Sequence, residues 1–113
     1  MFIPNAEHAI VDIRKLRDYT LNPQHRVGRH KARLFNALLG ITQGDADALY
    51  DILLEVVRTN EAELGEHDAH GQRYRLDFIL NWHRQHAQIR SVWNIRDNES
   101  HPRLITCYPL KEA

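Results

Sequence analysis

The apolar residues of this chain change period part-way along it. From Ile13 to Val57 they recur every three or four positions, and from Tyr74 onward they alternate. The first spacing lines one face of a helix and the second lines one face of a strand. Helices therefore come first and an antiparallel meander follows. The expected fold class is α+β, with N-terminal helices packed on one face of a C-terminal antiparallel sheet of about four strands. At 113 residues the chain is expected to form one domain, residues 1–113.

Local signals divide it further. Asp12 can cap a short helix over Asp12 to Tyr19, with Ile13, Leu16 and Tyr19 on one face. Leu21-Asn22-Pro23 breaks it, since proline disfavours helical geometry in the residue before it. A second helix is expected from Arg29 to Leu39, burying Ala32, Phe35, Leu38 and Leu39 and stopping at Gly40. Thr42 with Asp45 reads as a new cap, opening a third helix through Val57. Tyr74, Leu76, Phe78 and Leu80 mark one strand, and Ile89, Ser91, Trp93 and Ile95 the next. Leu104 to Tyr108 makes another, closed by Pro109. A shorter strand near Glu61 to Glu66 would turn back through Asp68-Ala69-His70-Gly71.

Charge limits the function. Lys plus Arg and Asp plus Glu balance at 15 each, beside 8 histidines. Strong non-specific nucleic-acid binders carry a basic excess, so any phosphate site here must be a local cluster. The single cysteine, Cys107, rules out an internal disulfide and suits a reducing cytoplasm. The start, Met1-Phe2-Ile3-Pro4, has neither a basic region nor a long apolar run, so no signal peptide or membrane span is expected. Gly-rich phosphate loops, Cys-x-x-Cys, His-Glu-x-x-His and the serine elbow are missing from the sequence. His67/His70 and His83/His86 have metal-like spacing but fall in predicted turns without a nearby cysteine. They read as solvated turn residues, and neither metal nor cofactor is expected. Trp93 and Cys107 read as core.

The candidate site begins at the second helix. Arg29, His30 and Lys31 occupy its opening turn, where the helix dipole prefers negative charge. Free N–H groups and added cations together suit a phosphate or carboxylate. The wider polar set is His25, Arg26, Arg29, His30 and Lys31, then Arg73, Arg90, Arg96, Arg103, Thr106 and Tyr108. Arg73, Arg90 and Arg96 fall opposite the more apolar strand faces, either converging on an open sheet face or paired there with Asp77, Asp97 or Glu99. Thr106 and Tyr108 share a parity with Leu104 and Leu110, which favours the core and counts against a role in chemistry.

The stretches Leu16-Arg17-Asp18-Tyr19-Thr20-Leu21-Asn22-Pro23, Gly28-Arg29-His30-Lys31-Ala32-Arg33-Leu34-Phe35, Arg90-Ser91-Val92-Trp93-Asn94-Ile95 and Pro102-Arg103-Leu104-Ile105-Thr106-Cys107-Tyr108-Pro109 resemble the motifs of a bacterial family of small proteins catalogued as a domain of unknown function. Lys31 belongs to the resembling motif more firmly than His30. The helices-then-meander order, ending in Thr-x-Tyr-Pro, is more distantly similar to metal-independent RNases of the barnase, colicin and RelE-like superfamily. That resemblance implies an endoribonuclease, the toxin of a two-gene toxin–antitoxin pair. It implies RNA and a neighbour-encoded antitoxin as partners. Under it, His25 or His30 would be the base, and Lys31, Arg29 and Arg103 would hold phosphate with Arg73, Arg90 and Arg96 nearby. Thr106 would donate a hydrogen bond, and Tyr108 would be acid or stacking platform. The competing reading is a non-catalytic interaction module, immunity or antitoxin-like, using the same cluster on an acidic protein surface. Oligomeric state stays open.

Overall fold

The computed structural model describes residues 1–111. Asp12 accepts the Arg14 N–H at 3.0 Å and starts α1 (Ile13–Lys15), which runs on into one π-helical turn, Leu16–Thr20. Helix α2 spans Arg29–Leu39 and stops at Gly40, whose φ of 74° is a left-handed conformation that suits glycine. Thr42 and Asp45 cap one another around a 3-10 turn, Gln43–Asp45, that leads into α3 (Ala46–Thr59).

Four strands follow: β1 (Glu63–Asp68), β2 (Gly71–Trp82), β3 (Gln85–Ile95) and β4 (Arg103–Pro109). They form one antiparallel sheet in the order β1-β2-β3-β4. Tyr74 faces Trp93, Leu76 faces Ser91, Phe78 faces Ile89 and Leu80 faces Ala87 across the β2–β3 pair. All eight are buried and turn one side of the sheet towards the helices. Leu16 from the π-helical turn, Phe35 and Leu39 from α2, and Leu49, Leu53 and Val57 from α3 complete the core. Trp93 is fully enclosed and donates to Ser91 Oγ at 2.9 Å, and Ser91 donates to the Leu76 carbonyl at 2.7 Å. The polar atoms of this central row are thus satisfied, as burial requires.

The β1–β2 turn is tight. Gly71 has φ 123°, and a Cβ there would lie 2.2 Å from the Ile95 carbonyl oxygen. Among the described residues no helix is long and apolar enough to cross a membrane.

Candidate functional site: the start of α2 and the two faces of β4

The approach to α2 is closed by a side chain. His25 Nδ1 accepts the backbone N–H groups of Val27 and Gly28, each at 3.0 Å. Two donors that would otherwise face an anion at the helix start are already satisfied. With Nδ1 accepting, the tautomer assigned from this network puts the ring proton on Nε2. Nε2 can donate to a ligand, but it has no lone pair left with which to take a proton. Of the two histidines expected as base, His30 is the one whose ring is not engaged in this way, and it is exposed on the first turn of α2.

Tyr19 ties this corner together. Its ring meets His25 edge-on, with centroids 4.6 Å apart. Lys31 Nζ lies 3.5 Å from the Tyr19 hydroxyl and 5.3 Å from the ring centroid, a weak hydrogen bond and a cation–π contact in one. Gly28 packs directly on the Tyr19 backbone, where a Cβ would come within 2.0 Å of the carbonyl oxygen. The π-helical turn, the turn after Pro23 and α2 therefore hold Tyr19, His25 and Lys31 as one group.

Pairing divides the cations into two populations. On the sheet, Arg73 bonds Asp68 at 2.6 Å, and Arg90 makes two bonds of 3.0 Å to Asp77. Arg103 bonds Glu99 at 3.2 and 2.8 Å, Arg96 approaches the same carboxylate at 3.3 Å, and Arg75 pairs with Glu63. Arg103 first, then Arg96 and His101, hold the Glu99 carboxyl below its ordinary range. By contrast Lys15, Arg26, Arg29, Lys31 and Arg33 make no ion pair among the described residues. For the last four the sequence carries a reason, since no Asp or Glu occurs from Tyr19 to Gly44. A whole-chain charge count hides that stretch; a count along the chain finds it. The sequence marks Tyr19 only as a residue on a helix face, and its contacts form in the folded turn.

A bulge decides where Thr106 and Tyr108 point. Val92 pairs with Thr106 but Trp93 pairs with Leu104, so Ile105 is one residue extra in β4. Leu104 and Cys107 both reach the core, although three residues apart, while Ile105 is exposed. Thr106 and Tyr108 consequently leave the core side that their parity with Leu104 predicted. They lie on the open face, Tyr108 opposite Arg90 and Thr106 opposite Val92. Asp77 first, and Tyr108 after it, raise Arg90 above its ordinary value. Thr106 Oγ1 is buried without a partner.

The expected constellation is therefore not gathered at one point. Lys15 on α1 and Lys31 on α2 belong to the helix layer, on the side of β4 where Cys107 is buried and its thiol pushed up to about 12 by that burial. Thr106, Tyr108 and Arg90 stand on the opposite side. Arg73 and Arg96 line a separate cleft at the end of the sheet, and Arg103 is held by Glu99. His67 bonds Asp97 at 2.8 Å from β1, and His70 lies in the β1–β2 turn. His83 sits in the β2–β3 turn with φ 53°, and His86 is exposed on β3.

Over residues 2–111 the sequence matches the family described as Domain of unknown function (DUF6883). The chain belongs to that family. No curated protein matches it. Among solved structures it is similar to a chain of a contact-dependent growth inhibition toxin–immunity protein complex from Klebsiella pneumoniae 342. The two share 16% identity with a TM-score of 0.66, over 89% of this chain and 99% of the other. At that identity the likeness establishes a shared fold, and the fold does not fix the chemistry.

Proposed function

We propose that this protein is the toxin of a toxin–immunity pair and acts as a metal-independent endoribonuclease. The observation that carries the reading is the unpaired cation group at the start of α2, set against a sheet whose arginines are neutralised internally. A cation-rich stretch of chain without Asp or Glu around a Tyr–His–Lys group suits a polyanion and proton transfer. The shared fold with a chain of a toxin–immunity complex supports the biological setting.

In this reading the ribose 2′-oxygen attacks the adjacent phosphorus. His30 takes the 2′-hydroxyl proton, and Arg29 and Lys31 hold the phosphoryl oxygens as charge develops on them. His25 donates from Nε2 to the same phosphate. Tyr19, beside Lys31, gives the proton to the departing 5′-oxygen in place of Tyr108, which faces away across β4.

The test is induced expression of the wild type and of Lys31→Ala and Tyr19→Phe, with growth and RNA integrity followed together. It is paired with cleavage of single-stranded RNA by the purified proteins. Growth arrest and RNA fragmentation in the wild type alone are expected, with both variants folded. Full activity in Lys31→Ala overturns the assignment. A second reading, an immunity-like interaction module, draws on the internally paired sheet arginines, which leave little charge there for a nucleic acid. Tight binding to a neighbour-encoded protein without RNA cleavage decides for it.

A further inference from the structure

We infer that the cleft at the β1–β2 turn end of the sheet is a nucleotide-binding subsite, with Asn94 reading the base edge and Arg96 taking the phosphate. The cleft encloses about 690 Å³ beside Arg73, Asn94, Arg96 and Ile105 and is separate from the Tyr19–His25–Lys31 group. The inference deepens the ribonuclease reading and rests on it for the choice of a nucleotide over other anions that carry an N–H donor.

Asn94 carries the argument. It is 5% exposed on β3, and its Nδ2 donates to the His70 carbonyl at 2.8 Å. That bond fixes the orientation of the amide, because a carbonyl accepts only from the nitrogen end. Oδ1 is left buried with no hydrogen-bond partner among the described residues. A buried acceptor without a donor is costly, and in a native fold it calls for a specific explanation. Asn94 lines the cleft, and a ligand donor that reached Oδ1 there would supply one.

Three further features define the donor's owner. Glu99 is shared by Arg96, Arg103 and His101, so one carboxylate faces two guanidinium groups, while Asp97 on the cleft wall is engaged by His67. Arg96 is the more exposed of the two arginines and is free to turn towards an anion, whereas Arg103 is held by two bonds. Ile105 is brought to this wall by the bulge in β4 and presents an apolar surface 37% exposed. An N–H edge, an apolar face and an anion within one small ligand is the chemistry of a nucleotide. Arg73, clamped to Asp68, is a second guanidinium on the same wall.

The experiment titrates the purified wild type with 5′-CMP, ribose 5-phosphate, inorganic phosphate and the trinucleotide CpCpC, following backbone amide shifts. The expected result is that CMP binds at least tenfold more tightly than ribose 5-phosphate and shifts the Asn94 and Ile105 amides. Arg96→Gln, on the exposed rim, should weaken CMP and ribose 5-phosphate alike. Asn94→Ser should weaken CMP while leaving ribose 5-phosphate unchanged. Tighter binding of the trinucleotide identifies an RNA chain as the ligand, and equal binding identifies the free nucleotide. Equal affinity for CMP and ribose 5-phosphate, or shifts confined to other residues, overturns the subsite. Nucleotide binding in the cleft by a protein that cleaves no RNA retains the subsite and removes the ribonuclease reading. Cleavage without cleft binding does the reverse.

Discussion

Gly28 donates its backbone N–H to His25 Nδ1 at 3.0 Å while its α-carbon side is pressed on the Tyr19 carbonyl. One residue thus joins the histidine, the tyrosine and the first turn of α2. A methyl group at Gly28 would sit 2.0 Å from the Tyr19 oxygen, and the obstacle is backbone, which cannot rotate aside. Gly28→Ala is expected to destabilise the fold by about 1–3 kcal/mol through this overlap. It should also spread His25 from Lys31. Denaturant unfolding of the variant, beside its RNA cleavage, measures both effects.

The bulge at Ile105 gives a second prediction. Ile105→Ser alters an exposed side chain and should change stability by less than about 1 kcal/mol. Deleting Ile105 instead leaves Leu104 and Cys107 two residues apart, the regular spacing along one strand face, so both should keep their places opposite Trp93 and Ser91 while β4 straightens. Thermal unfolding of the two proteins separates the role of the side chain from that of the extra residue.

RNA binding should depend on salt in a way that the paired arginines do not affect. If Arg26, Arg29, Lys31 and Arg33 each meet a phosphate, log K should fall with log salt with a slope near ~3 for a single strand. The triple variant Arg26→Gln, Arg29→Gln, Arg33→Gln should lower that slope by about 2. Arg75→Gln, whose charge is paired with Glu63, should leave it unchanged. Titrations at several salt concentrations give the slopes.

Acid should loosen the β3–β4 connection. Arg103, followed by Arg96 and His101, lowers Glu99, so the folded protein holds fewer protons there than the unfolded chain does. This contribution is present above the ordinary carboxylate range and is lost as pH falls through the lowered folded value. Glu99→Gln should be less stable than the wild type at pH 7, with the difference shrinking towards pH 3. A constant difference across that range contradicts the linkage.

Much of the fold was legible because its boundaries are made by local chemistry. The Asp12 cap, the left-handed Gly40 and the Thr42/Asp45 capping box stand where the sequence places them. The alternation from Tyr74 to Leu80 likewise predicts the buried side of β2. The site was harder to read, for three physical reasons. The bulge in β4 breaks the period-two rule that sets the expected facing of Thr106 and Tyr108. The imidazole of His25 replaces the anion expected at the helix start, and nothing in the residue order distinguishes a cap from a catalyst. Finally, the carboxylates that neutralise Arg73, Arg90 and Arg103 are brought to them by the strands and by the loop after β3.

The unpaired cations around α2 give a formally neutral molecule a permanent electric dipole moment. Near a polyanion such a molecule feels almost no net pull at long range, but it does feel a torque. It turns its α2 corner towards the charge first and is drawn inward only afterwards. Encounters would then be selected by orientation before any contact forms, and that selection would fade once the Debye length falls below the size of the domain.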